Sequence, residues 1–171
     1  FESLAYELVK SCFEKGITDI SLVEDKLNLS MMEQLKSGVD KAYEEKGLKF
    51  DKYISYNDSY KSSYVYFTEY YKTHQPSKVV ITLRDSQAIA FLNATSEAGY
   101  DVPKDAQMVC VLNNKYLTMV RPHISSYNIP EYDMGAVAMR LLTKMLVEEN
   151  NAKLDKNIEM SYSFLARSTT K

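Results

Sequence analysis

Apolar positions along the first two-thirds of the chain switch between a helical and an extended period. Leu4, Leu8 and Cys12, with Tyr6, Val9 and Phe13 beside them, recur at helical spacing and stop at Gly16, a residue suited to closing a helix. Asp19–Val23 is a short aliphatic run that reads as a buried strand. Ser30 and Glu33 have capping-box spacing and predict the start of a helix through Leu35, Val39, Ala42 and Tyr43 to Gly47. Lys52–Tyr56 reads as a second strand. Tyr60, Tyr64, Phe67 and Tyr71 then recur at helical spacing, predicting a helix that packs its aromatic face on a sheet. Val79–Leu83 is the clearest strand. Asp85 is placed to cap a helix ending at Gly99, and Met108–Leu112 is the fourth strand. Helices alternating with strands at this period imply a parallel sheet with right-handed crossovers and helices on both faces.

The pattern changes after Pro122. An extended segment, HISSYNI, lies between Pro122 and Pro130, and a helix is predicted over 133–149. Its apolar stripe is Met134, Val137, Ala138, Leu141, Leu142, Met145 and Leu146. The polar run EENNAKLDKN leads to a last extended stretch, IEMSYSFLA.

A chain of 171 residues that is 45% apolar and 26% charged has the composition of a folded domain, not of a disordered segment. Its net charge of −2 offers no electrostatic footprint for nucleic acid or an anionic membrane. No run approaches the ~20 apolar residues that span a bilayer. Cys12 and Cys110 have neither CxxC spacing nor a neighbouring His, and each sits in an apolar pattern. They read as buried free thiols, as suits a reducing cytoplasm.

In an open parallel sheet, ligands bind outside the carboxyl ends of the strands. Those ends are Glu24–Asp25, Tyr56–Asn57, Arg84–Asp85 and Leu112–Asn113. No Gly lies between Gly16 and Gly38 to cradle a phosphate after the first strand, and no GxSxG elbow occurs. His74 and His123 stand apart from any Ser or Cys partner. The residues therefore indicate a binding module, not an enzyme, with no cofactor and no metal. One alternative is a phospho-accepting receiver-like domain, in which Glu24, Asp25 and Asp85 would hold Mg²⁺ beside Lys115.

The block from Val79 to Lys171 carries a further signal. VVITLRDSQAIAFLNATSEAGYDVPKD, MVRPHISSY, IPEYDMGAVAMRLLTKML and the terminal LARSTTK follow in an order that resembles the effector-binding domain of LacI/GalR-family transcription regulators, and within them the catabolite-control group. From Phe1 to Lys78 the likeness is one of pattern only. The resemblance implies a periplasmic-binding-protein-like α/β fold, with this chain a fragment comprising mainly the C-terminal lobe. Residues 1–122 would form that lobe, 123–160 the crossover segment and a helix belonging to the other lobe, and 161–171 the returning strand. It further implies a cytoplasmic homodimeric repressor that reads operator DNA through an N-terminal helix-turn-helix preceding this chain, with no membrane association. The other reading within this architecture is the sugar-binding protein of a transporter; the MVRP and AVAMRLLTK blocks argue against it.

The resemblance places an effector cleft at Asp25, Arg84, Asp85, Leu112 and Asn113, and there the chain departs from the family's pattern. Leu35 stands where sugar-binding members carry Arg. Arg84-Asp85 replaces Asn-Asp, and Leu112 replaces an Asp that would accept sugar hydroxyls. Losing an Arg and an Asp removes most of the bidentate chemistry that holds a neutral sugar. Arg84 favours an anionic ligand, or the cleft holds none. The resemblance assigns the dimer contact to Ala88, Phe91, Leu92 and Met119. It also implies that Tyr132, Val137, Arg140 and Lys144 receive the serine-phosphorylated phosphocarrier protein HPr. Positions 137, 140 and 144 share a helix face, where Arg supplies a fork and Lys a point charge for a phosphoserine dianion. Glu131 and Ser163 depart from the group's pattern at this site, whereas Arg167 keeps it.

Overall fold

The computed structural model describes residues 1–56, 59–147 and 158–171. Asn57, the last two positions of the helix expected over 133–149, and the polar run that follows lie outside the described residues. The elements alternate as expected: α1 (Glu2–Glu14), β1 (Ile20–Asp25), α2 (Leu29–Glu45), β2 (Tyr53–Tyr56), α3 (Tyr60–Tyr70), β3 (Val79–Thr82), α4 (Asp85–Glu97) and β4 (Gln107–Leu112). A 3-10 turn (Lys115–Thr118) leads to β5 (Ser125–Asn128), α5 (Glu131–Val147) and β6 (Ser163–Leu165). The strands form one sheet in the order β2-β1-β3-β4-β5-β6, parallel throughout except for antiparallel β6. Because β5 and β6 belong to this sheet, the sheet continues past the boundary drawn at residue 122.

Strand alternation divides the core into two layers. Ile20, Leu22, Val79, Ile81, Val109 and Val111 point to the face covered by α1 and α2. Val23, Val80, Met108 and Cys110 point to the face covered by α3 and α4. Phe67 and Tyr71 of the aromatic helix are buried in that second layer, as the pattern predicts. Tyr60 is instead 42% exposed and stacks on Tyr64 at 5.9 Å, because the helix begins beyond the sheet's cover. Both cysteines are buried and free. Burial pushes the Cys12 thiol up to about 11 and the Cys110 thiol up to about 12.

Two helix starts differ from the expected ones. α2 begins at Leu29, so Ser30 lies inside it. Asn28, at the cap position, donates its amide to Asp25 Oδ2 at 3.0 Å and does not cap the helix. In α4 the cap position is Arg84 and Asp85 is the first helical residue. The backbone donors there are taken by Gln87, whose Oε1 accepts from Leu83 N at 2.8 Å and Arg84 N at 3.1 Å. The helix ends follow the sequence more closely, since Gly16 (φ 75°) and Gly99 (φ 86°) take the left-handed conformation that closes α1 and α4. Gly38 serves a different purpose. A Cβ there would lie 2.2 Å from Glu2 O, so the missing side chain is what lets α1 and α2 pack face to face.

Candidate functional site

Chain order places the topological switch between β1 and β3: the sheet grows from β1 to β2 on one side, then resumes at β3 on the other. Connections leaving those two strands diverge, and their carboxyl ends flank a crevice. Asp25 closes β1 and Arg84 follows β3, so the fold brings together two residues far apart in sequence.

They form an ion pair. Arg84 Nε lies 2.6 Å from Asp25 Oδ2, a charge contact rather than an aligned hydrogen bond. Asp25 is 2% exposed and its carboxylate accepts two hydrogen bonds, Oδ1 from Leu27 N at 2.9 Å and Oδ2 from the Asn28 amide. Two hydrogen bonds and one counter-charge offset the burial of this carboxylate. The neighbouring Glu24 is paired with Lys36.

Asn113, beyond β4, is also held internally. Its Oδ1 accepts from Ser126 Oγ and from Arg167 Nη2, both at 2.9 Å. Arg167 in turn donates Nη1 to Ile124 O and Ser126 Oγ at 2.6 Å each. Next to it, buried Thr169 donates to Met108 O at 2.7 Å and accepts from Ser125 N at 2.8 Å. The terminal RSTTK segment therefore knits β4 to β5 from inside the chain. Leu112 and Asp85 are half-buried at the same end of the sheet. Of the five expected cleft residues, the structure brings Asp25 and Arg84 into contact and turns Asn113 to a structural bond. No periodicity or spacing signals either arrangement. Among the described residues no three His, Cys, Asp or Glu side chains converge to hold a metal; Glu24 and Asp25 are paired with Lys36 and Arg84.

α5 presents a different surface. None of its 17 residues is buried, and Tyr132 is 87% exposed. Arg140 and Lys144 are exposed on one side, with no ion pair to either among the described residues; Val137 beside them is half-buried. Met139, Leu142 and Leu146 are also exposed. This helix thus combines a cationic edge with apolar surface.

The expected dimer residues divide between core and surface. Ala88 and Phe91 are 0% exposed and Leu92 4%, inside the layer beneath α3, where Phe67 meets Phe91 edge to face at 5.6 Å. The helix turns these three positions inward, where the sheet side of α4 presents an apolar stripe. Met119, in the loop after the 3-10 turn, is 66% exposed.

A doubly wound sheet with a crevice at its switch point is the architecture of a binding module of the periplasmic-binding-protein type. Residues 9–170 match the periplasmic binding protein-like domain family, and the chain belongs to it. It is 34% identical over its whole length to catabolite control protein A of Staphylococcus xylosus, and 31% identical over 97% of its length to the HTH-type transcriptional regulator RegA of Clostridium saccharobutylicum. Among solved structures, transcription regulator CcpA of Lactococcus lactis superposes on 99% of the chain with a TM-score of 0.84 at 25% identity, the match covering 62% of that protein. The chain spans about half the length of the curated relatives it matches, 51% and 50% for the two named. These relatives are transcription regulators, in agreement with the non-enzymatic reading of the residues. Among the described residues no helix is long and apolar enough to cross a membrane.

Proposed function

We propose that this chain is the dimerising and signal-receiving part of a cytoplasmic LacI-family repressor of the catabolite-control kind. Its signal is a serine-phosphorylated phosphocarrier protein docking on α5. The observation that carries this reading is the α5 surface, where Arg140 and Lys144 stand exposed beside Val137 and close to exposed apolar side chains. A phosphoserine dianion fits such a pair, with the apolar surface supplying contact area. The crevice supports the same reading from the other side, since the charged groups at its switch point are paired with each other and a neutral sugar would find few of them available. In the whole protein, residues 1–122 with β5 and β6 would act as the C-terminal lobe and α5 would belong to the other. Docking would favour one lobe arrangement and so shift dimers toward the spacing that operator DNA requires of their headpieces.

Calorimetric titration of the whole regulator with serine-phosphorylated and unphosphorylated HPr tests this directly. Binding that needs the phosphate and is lost in Arg140→Glu supports it. A folded dimer that binds neither form refutes it. Sedimentation of the whole protein, with Met119→Glu as the variant, tests dimerisation through the loop after the 3-10 turn.

A further inference from the structure

At the end of the sheet opposite the crevice, a cavity of about 330 Å³ opens between the edge strand β2 and the last turns of α3. Ser21, second residue of β1, lines it. Strand alternation turns Ser21 toward the α3 layer, where it is 1% exposed, and its Oγ has no hydrogen-bond partner among the described residues. An alanine would fill that position without leaving a buried hydroxyl unmatched, so the serine marks a place where a polar atom is wanted.

One wall of the cavity is a column of rings. Tyr66, Tyr70 and His74 follow each other at four-residue spacing along α3 and beyond it. Tyr66 and Tyr70 stack at 5.9 Å and 18°, and Tyr70 and His74 at 4.3 Å and 10°. A guest touching all three members of a near-parallel stack meets ring edges, not faces. Ring edges carry the positive end of the aromatic quadrupole; they attract the π face of another ring and give nothing to a cation. Ile54 adds apolar surface among the lining residues. At the mouth, Lys52 is paired with Asp19 at 2.5 Å, so its charge is already matched and an anion gains little there.

We propose that this cavity binds a small, uncharged, planar heteroaromatic molecule, its face against the Tyr66–Tyr70–His74 edges and a polar atom hydrogen-bonded to Ser21 Oγ. The site is separate from the crevice and from α5, and does not depend on the function proposed for either. At 330 Å³ it lies at the small end of ligand pockets, which suits a single ring with one polar substituent.

Nicotinamide is the probe, with cyclohexanecarboxamide as its non-aromatic counterpart, both titrated into the 171-residue chain and followed by ¹H–¹⁵N NMR. Saturable shifts at Ser21, Tyr66 and Tyr70 are expected with nicotinamide, and binding at least severalfold weaker with the saturated ring. Ser21→Ala should weaken nicotinamide binding roughly fivefold, the net worth of one hydrogen bond. The same variant should raise the thermal midpoint of the free protein, because it removes an unmatched hydroxyl; that readout also establishes that the variant folds. Tyr66→Leu should weaken nicotinamide binding while leaving the cyclohexane analogue unchanged. The inference is overturned by absent saturation at these residues, which would mean a water-filled cavity only. It is likewise overturned by equal binding of the two amides or unchanged affinity in folded Ser21→Ala, either of which would mean binding that uses neither the ring column nor the Ser21 hydroxyl.

Discussion

Removing the Arg84 side chain should expose how much of this fold rests on one buried carboxylate. In Arg84→Met, the aliphatic stem is largely kept and only the charge is lost. Asp25, with a side chain 0% exposed, then keeps its two hydrogen bonds from Leu27 N and Asn28 but has no counter-charge. Breaking a buried pair on one side costs about 3–5 kcal/mol. Arg84 is 27% exposed, so water already screens part of the interaction, and about 2–3 kcal/mol is expected here. Asp25→Asn alone keeps one acceptor oxygen, enough for Leu27 N, but removes the negative charge facing the guanidinium, whose partial exposure makes that loss cheaper. The double variant Asp25→Asn with Arg84→Met should recover most of the loss. Urea unfolding monitored by circular dichroism gives the comparison, with the slope of the transition checked for constancy. The reasoning is refuted if Arg84→Met costs less than about 1 kcal/mol, or if the two single losses simply add in the double variant.

Gly38→Ala should destabilise the chain by about 1–3 kcal/mol, because the new Cβ must push α1 away from α2; this outweighs the ~1 kcal/mol that alanine gains in a helix interior, and a lower urea midpoint checks it. At Asp19, burial pushes the carboxyl up, but hydrogen bonding and charge from Lys52, with Ser77 and Lys78 N, outweigh it and hold the group below its usual range. A depressed folded pKa gives stability that is present above the unfolded value, ~3.9, and lost as pH falls through the folded one. Asp19→Asn should therefore flatten the acid limb of the stability curve and leave alkaline behaviour unchanged. Cys12 and Cys110, pushed up to about 11 and about 12 by burial, should resist a disulfide reagent at pH 8 in the native chain and both react once urea unfolds it.

Legibility in the sequence followed the range of the interaction. The strands over Val79–Thr82 and Gln107–Leu112, and the helix ends at Gly16 and Gly99, depend on residues a few positions apart, and periodicity reported them. Helix starts were less secure because their donors were met by side chains with other partners nearby. Asn28 turned to Asp25, and Gln87 took the place expected of Asp85. On α4 an apolar residue has two possible uses, its own sheet or a second chain, which spacing alone does not separate; within this chain Phe91 has its neighbour in Phe67.

The order of apolar and polar positions, by itself, determined a mainly parallel α/β domain, since backbone hydrogen bonding and the burial of one face per element depend on local pattern. The order of blocks after Val79 carried the family. Tertiary structure alone decided what the site residues do, because each of those contacts closes a long loop that no spacing rule describes. Only folding sets Arg84 against Asp25 across the switch point, ties Asn113 to Arg167, and leaves the Ser21 hydroxyl without a partner among the described residues beneath a column of rings.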